Sequence, residues 1–136
     1  MGTIVVGYDA SDSAREALAA ALALATPLGD NVHVVVSYEV HRFGGEVADF
    51  AAALAERAHT LVGHANDQAA ALHGSIDAEV VEGAPADALV DVADRLGARL
   101  IVVGTRGESP LRGALVGSTP HKLLQVADRP VLVVPG

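Results

Sequence analysis

Four glycines in fourteen residues, Gly104, Gly107, Gly113 and Gly117, stand between a strongly apolar run and the triplet Ser118-Thr119-Pro120. Residues of these types could cradle a phosphate. Glycine lets the backbone approach a ligand closely and adopt positive φ. Ser, Thr and Pro suit a helix start, where unpaired N–H groups and the helix dipole favour an anion. The two hydroxyls could cap that helix or donate to phosphate oxygens. Arg106 and Arg112 add positive charge to the same loop. A nucleotide site is the expectation.

Other chemistries find less support. Two residues separate Gly104 from Gly107 and nine separate Gly107 from Gly117, which matches neither GxGxxG nor GxxxxGK(S/T). There is no Cys nucleophile and no GxSxG elbow. The six histidines lack metal-ligand spacing: His59 and His64, five apart on one helix, point to different faces. No residue stands out as a general base for hydrolysis.

The elements that must position the loop follow from periodicity. Leu100–Val103 reads as a buried strand ahead of it, and the fourth helix runs from Pro120 to about Ala127 behind it. Upstream, Thr3–Tyr8 is a continuous apolar strand ending at Asp9. Ser13 and Glu16 have capping-box spacing, which predicts a helix from near Ala14, with Leu18, Leu22 and Ala25 inward and Thr26-Pro27 as its end. Val32–Tyr38 is a second strand. A long helix follows from about Val47 to Leu72, its buried stripe formed by Phe50, Leu54, Leu61, Ala65 and Leu72. Ile76–Val81 is a third strand. Pro85 opens the third helix, whose inner face is Leu89, Val92, Ala93 and Leu96 and whose C′ residue is Gly97. Val131–Val134 is the last strand, expected at the sheet edge beside the fourth. This alternation describes an α/β protein with a doubly wound parallel sheet and helices on both faces. With no linker, repeat or low-complexity tract, residues 1–136 read as one domain.

Composition agrees. The 136 residues are 51% hydrophobic, only 3% aromatic and without Trp, which suits small-residue helices on a Val/Ile/Leu sheet and not stacking platforms for bases. A net charge of −8 argues against nucleic acid or an acidic membrane as partner. The N-terminus enters a strand directly, and no later uncharged apolar run reaches 18 residues. A soluble, cytoplasmic protein is the expectation.

The spacing Gly104-x2-Gly107-x9-Gly117-Ser118 resembles the signature of the universal stress protein family, in its ATP-binding branch. IVVGYDASDSAREAL at Ile4–Leu18 resembles the family's first strand and turn. EGAPADALVDVADRLGARLIVVGTRG at Glu82–Gly107 resembles its third-helix block, and ADRPVLVVP at Ala127–Pro135 its terminal strand. The resemblance implies an adenine-nucleotide alpha-hydrolase-like fold, five parallel strands in the order 3-2-1-4-5. It further implies ATP, with Mg²⁺, as ligand. Asp9 would contact the nucleoside, with Gly7 letting the backbone approach, and the main chain of Ser37 would face adenine. Gly104, Thr105, Arg106 and Gly107 would line ribose and phosphates, and Gly117, Ser118 and Thr119 would bind the β- and γ-phosphates. Asp9, Asp12 and Glu108 are the carboxylates that could hold the Mg²⁺. The chain departs from the family pattern at Glu108-Ser109-Pro110, where a basic residue is common, and at Pro120 and His121.

From the residues alone, Asp9 could instead serve only to cap the following turn. The valines of Val131–Val134 invite pairing of two copies, as the resemblance also implies, although Pro130 and Pro135 could guard a short edge. The expected activity is therefore ATP binding by a homodimeric stress-response module, with slow or no hydrolysis. A family member acting only through dimerisation and protein contacts, or a true ATPase, are the rivals.

Overall fold

The computed structural model describes residues 2–40, 47–106 and 117–136. Five strands form one parallel sheet: β1 (Thr3–Gly7), β2 (Asn31–Tyr38), β3 (Asp77–Glu82), β4 (Leu100–Gly104) and β5 (Val131–Val134). Their order is β3-β2-β1-β4-β5, as expected. β1 lies at the centre, with Val5 opposite His33 of β2 and Ile101 of β4. Such strands are covered on both faces, which is why they read as unbroken apolar runs.

Helices α1 (Asp12–Leu28) and α2 (Val47–Ala71) cover one face, over Ile4, Val6, Val34, Val36 and Val102. Helices α3 (Pro85–Leu96) and α4 (Ser118–Val126) cover the other, where Leu89, Val92 and Leu123 pack on Val5, Val35, Ile101 and Val103. Among the described residues no helix is long and apolar enough to cross a membrane.

Local signals decide the helix ends, with three departures from expectation. α1 is capped by Ser11, whose hydroxyl accepts the Ala14 N–H, rather than by the Ser13–Glu16 pair. It also runs through Pro27 to Leu28 and stops at Gly29, which takes the left-handed conformation at φ 69°. Pro27 sits on the exposed face of the last turn, so the N–H it lacks leaves only a carbonyl that water can satisfy. α4 starts at Ser118 with Gly117 as its N-cap, and neither Ser118 nor Thr119 caps it. α3 behaves as expected, with Pro85 in its first turn and Gly97 at φ 61° after its end.

The stripe on α2 holds at Leu61 and Ala65 and needs correction at its ends, the helix itself stopping at Ala71. Phe50 and Leu72 are 55% and 51% exposed, while Ala58, Ala65 and Ala69 are buried, flanked by the half-buried Leu61 and Val62. A helix of 25 residues spans about 37 Å. The eight residues of β2 span only about 26 Å. The first turns of α2, around Phe50, therefore lie beyond the covered stretch, and the helix approaches the sheet through alanines from Ala58 to Ala69.

Two polar clusters tie helix to sheet. Arg129, ahead of β5, donates to the carbonyls of Ala93 and Ala98 at 2.8 Å each and pairs with Asp94, closing the C-terminal end of α3. Glu79 on β3 bridges His33 of β2 at 2.6 Å and Arg95 of α3 at 2.5 Å. Burial pushes the Glu79 carboxyl up, but the hydrogen bonds from Arg95 and His33 outweigh it and hold the group below its ordinary value. A depressed carboxylate contributes stability that is complete above its unfolded pKa and lost as pH falls through the folded one. Glu79→Gln is therefore expected to cost about 1 kcal/mol at neutral pH. The difference from wild type should vanish in acid, which urea titrations at about pH 7 and about pH 3 would check.

Candidate functional site

The pairing of β1 with β4 ends at Val6 and Val102, at the point where the strand order reverses, the place where open α/β sheets bind ligands. A cavity of about 420 Å³ opens there. Its floor is Val35 and Val103 from the strands, and Leu89 of α3 forms an apolar wall.

Eight of the ten residues singled out from the sequence line this cavity: Gly7, Asp9, Ser37, Gly104, Arg106, Gly117, Ser118 and Thr119. Gly107 lies outside the described residues, as do Glu108, Arg112 and Gly113. Thr105 is not among the lining residues. Its backbone instead joins elements: its N–H donates to Val134 of β5 at 2.9 Å, and its carbonyl accepts the Gly117 N–H at 2.6 Å. The two ends of the glycine-rich excursion thus meet at Thr105 and Gly117.

The cavity is lined by charges of both signs. Asp9 and Glu39 follow β1 and β2, and Arg106 follows β4, with the start of α4 also in the lining. Arg106 is the one cation among the described lining residues. Tyr8 lines the cavity too, and burial pushes its hydroxyl pKa up. One carboxylate oxygen of Asp9 accepts the Ser11 N–H at 3.0 Å, so the turn-capping role open from the sequence is present in a residue that also faces the cavity. Between them Ala10 sits at φ 63°, a conformation L side chains rarely take.

The glycines act differently from expectation. Neither Gly104 nor Gly117 has positive φ; Gly117 is extended at φ −68° and ψ 175°. Gly104 is required by close approach of the chain itself: a Cβ there would stand 2.6 Å from the backbone carbon of Ser13 and 2.7 Å from its Cβ. At Gly7 a Cβ would meet the Leu89 and Val103 methyls at 2.9 and 3.2 Å. Both glycines let helices sit down on the sheet beside the cavity.

Sequence reasoning missed Ser13, the one buried polar residue among those described, at 2% exposure. Its hydroxyl donates to the Arg106 carbonyl at 2.5 Å and accepts the Arg106 N–H at 3.2 Å. The backbone donors of Thr105, Arg106 and Gly117 are therefore committed inside the protein. Ser118 and Thr119, at the first two positions of α4, have N–H groups with no intrahelical acceptor, and Pro120 has no N–H at all. An anion at this end would meet those two N–H groups, the two hydroxyls and the Arg106 guanidinium. Glu39 and Leu89 were also missed, since nothing in one sequence says which exposed acid or core leucine borders a cavity.

Comparison with known proteins gives a consistent result. The model of the universal stress protein family matches residues 1–135. A universal stress protein of Thermus aquaticus is 38% identical, with 97% of each chain covered. Among solved structures, a universal stress protein in complex with cAMP superposes with a TM-score of 0.76 at 32% identity, covering 98% of this chain and 96% of that one. One from Archaeoglobus fulgidus in complex with dAMP gives 0.62 at 25% identity, covering 98% of each.

Proposed function

The chain belongs to the universal stress protein family, and from that premise we propose that it binds an adenine nucleotide in the β1–β4 cavity. One observation carries the reading. One cavity of nucleotide size is lined both by the carboxylates Asp9 and Glu39, suited to the hydroxyls of a ribose or the amine of a base, and by a helix start with hydroxyls and an arginine. Relatives crystallised with cAMP and dAMP support the same ligand class. ATP is the proposed physiological ligand. Mg²⁺ is proposed to arrive on the triphosphate. The proposed output is occupancy itself, with slow or no hydrolysis, in a cytoplasmic stress-response module.

That module is proposed to be a homodimer paired through β5. The two sheet edges differ in the expected way: β3 carries Asp77, Glu79 and Glu82, whereas β5 is four half-buried apolar residues. Charged edges resist strand pairing and uncharged ones invite it. Sedimentation should find two chains per particle, and a monomer at high concentration would refute that part.

Calorimetric titration of nucleotide-free protein tests the ligand. ATP is expected to bind at one site per chain with micromolar affinity, about −8 kcal/mol. Asp9→Ala should weaken binding about tenfold. Absence of binding by wild type would refute the nucleotide reading, and wild-type affinity in Asp9→Ala would leave Asp9 a turn residue only.

A further inference from the structure

We propose that Ser13 is a positioning residue for the phosphate end of this cavity, an inference that rests on the nucleotide reading above. Ser13 lies in the first turn of α1, far from Arg106 in sequence, and does not line the cavity. Its hydroxyl holds the Arg106 residue by both backbone groups, at 2.5 and 3.2 Å. The Ser11 hydroxyl adds a longer contact of 3.3 Å to the same carbonyl. No side chain at residue 104 pushes β4 away from this contact, because Gly104 lets the backbone of Ser13 come within van der Waals range.

The physical consequence concerns the guanidinium. Arg106 is the first residue beyond the Thr105–Gly117 closure, and its own side chain is exposed and long. A long flexible side chain loses rotamer freedom when it grips a ligand. Fixing its Cα in advance removes the backbone share of that cost for a side chain that lines the same cavity as the start of α4. The grip works on phosphate because Arg106 is the cation that follows β4, whereas Ser37, whose main chain would face a base, stands on β2, and Asp9 follows β1, held by the Ser11 N–H and not by Ser13. Loss of the Ser13 hydroxyl should therefore be felt by a nucleotide and not by its nucleoside.

The test compares AMP with adenosine by titration calorimetry on wild type, Ser13→Ala and Glu79→Gln. Ser13→Ala is expected to weaken AMP about tenfold while adenosine changes less than about twofold. Glu79→Gln, remote from the cavity and also destabilised, should leave the AMP-to-adenosine ratio at its wild-type value. Ser13→Thr, which restores a hydroxyl, should return the ratio toward wild type. If Ser13→Ala does not fold at the assay temperature, Ser13→Cys, a weaker donor of similar size, is expected to show the same selective loss in smaller measure. Equal weakening of AMP and adenosine, or an unchanged ratio, would overturn the positioning role while leaving the nucleotide site standing. Failure of wild type to bind either compound would overturn the site itself, and the inference with it.

Discussion

Gly104→Ala is expected to destabilise the protein by about 3 kcal/mol, the upper part of the range for forcing extra atoms into a packed site. For a chain of this length the midpoint of thermal unfolding should fall by roughly 10 °C. The cause is not backbone strain, since Gly104 lacks positive φ. The added methyl would stand 2.6 Å from the Ser13 backbone carbon and closer still to its hydroxyl oxygen. A flexible side chain could swing aside, but the first turn of α1 cannot. Helix and strand must separate, and the hydrogen bonds from Ser13 to Arg106 lengthen together. Ser13→Gly in the same chain should recover only part of the loss, because the backbone overlap remains. Stability within about 0.5 kcal/mol of wild type for Gly104→Ala would refute the close approach.

Leu89→Ala is expected to have a comparable effect for the opposite reason. Leu89 is 2% exposed and packs in the α3–α4 core while forming one wall of the cavity. Truncation of a buried leucine costs about 3 kcal/mol, the spread reflecting how far the site collapses. Here collapse is opposed by the sheet beneath, and the cavity should enlarge. Gly7 makes the prediction sharper. Its missing Cβ leaves the space that the Leu89 and Val103 methyls occupy, so Gly7→Ala alone should cost about 1 kcal/mol by overpacking. In the Leu89→Ala background the same methyl fills part of the void, and the double variant should be no less stable than Leu89→Ala. Denaturant unfolding of the four-protein cycle measures that coupling. Strict additivity would show that the two positions do not share space.

How much of this could be read from the residues depends on which force specifies each feature. The strands themselves and the α3 cap at Gly97 were legible, because continuous apolar runs and glycine caps are local signals, whereas the strand order came with the family resemblance. The α2 stripe was legible at Leu61 and Ala65 and not at its ends. Periodicity selected the large residues Phe50 and Leu72, but the finite length of the sheet decides which part of a long helix is covered. Eight of the ten residues that the resemblance pointed to line one cavity, since a switch point brings strand ends together whatever the side chains. Their hydrogen-bond partners were hidden. Nothing in the sequence says that Ser13 spends its hydroxyl on Arg106, or that Thr105 and Gly117 spend their backbone groups on one another. Those contacts join residues about ninety positions apart or across a loop, and they depend on distances that only the folded chain defines.

The meeting of Thr105 with Gly117 sets the gap that the chain between them must close. One side of that gap is fastened to β5 through Val134, and the other is the N-cap of α4. Closing a longer flexible connection costs only about 0.6 kcal/mol for each doubling of its length. A change of length beyond Arg106 would therefore carry a small entropic cost, provided that Arg106 keeps its hold on Ser13.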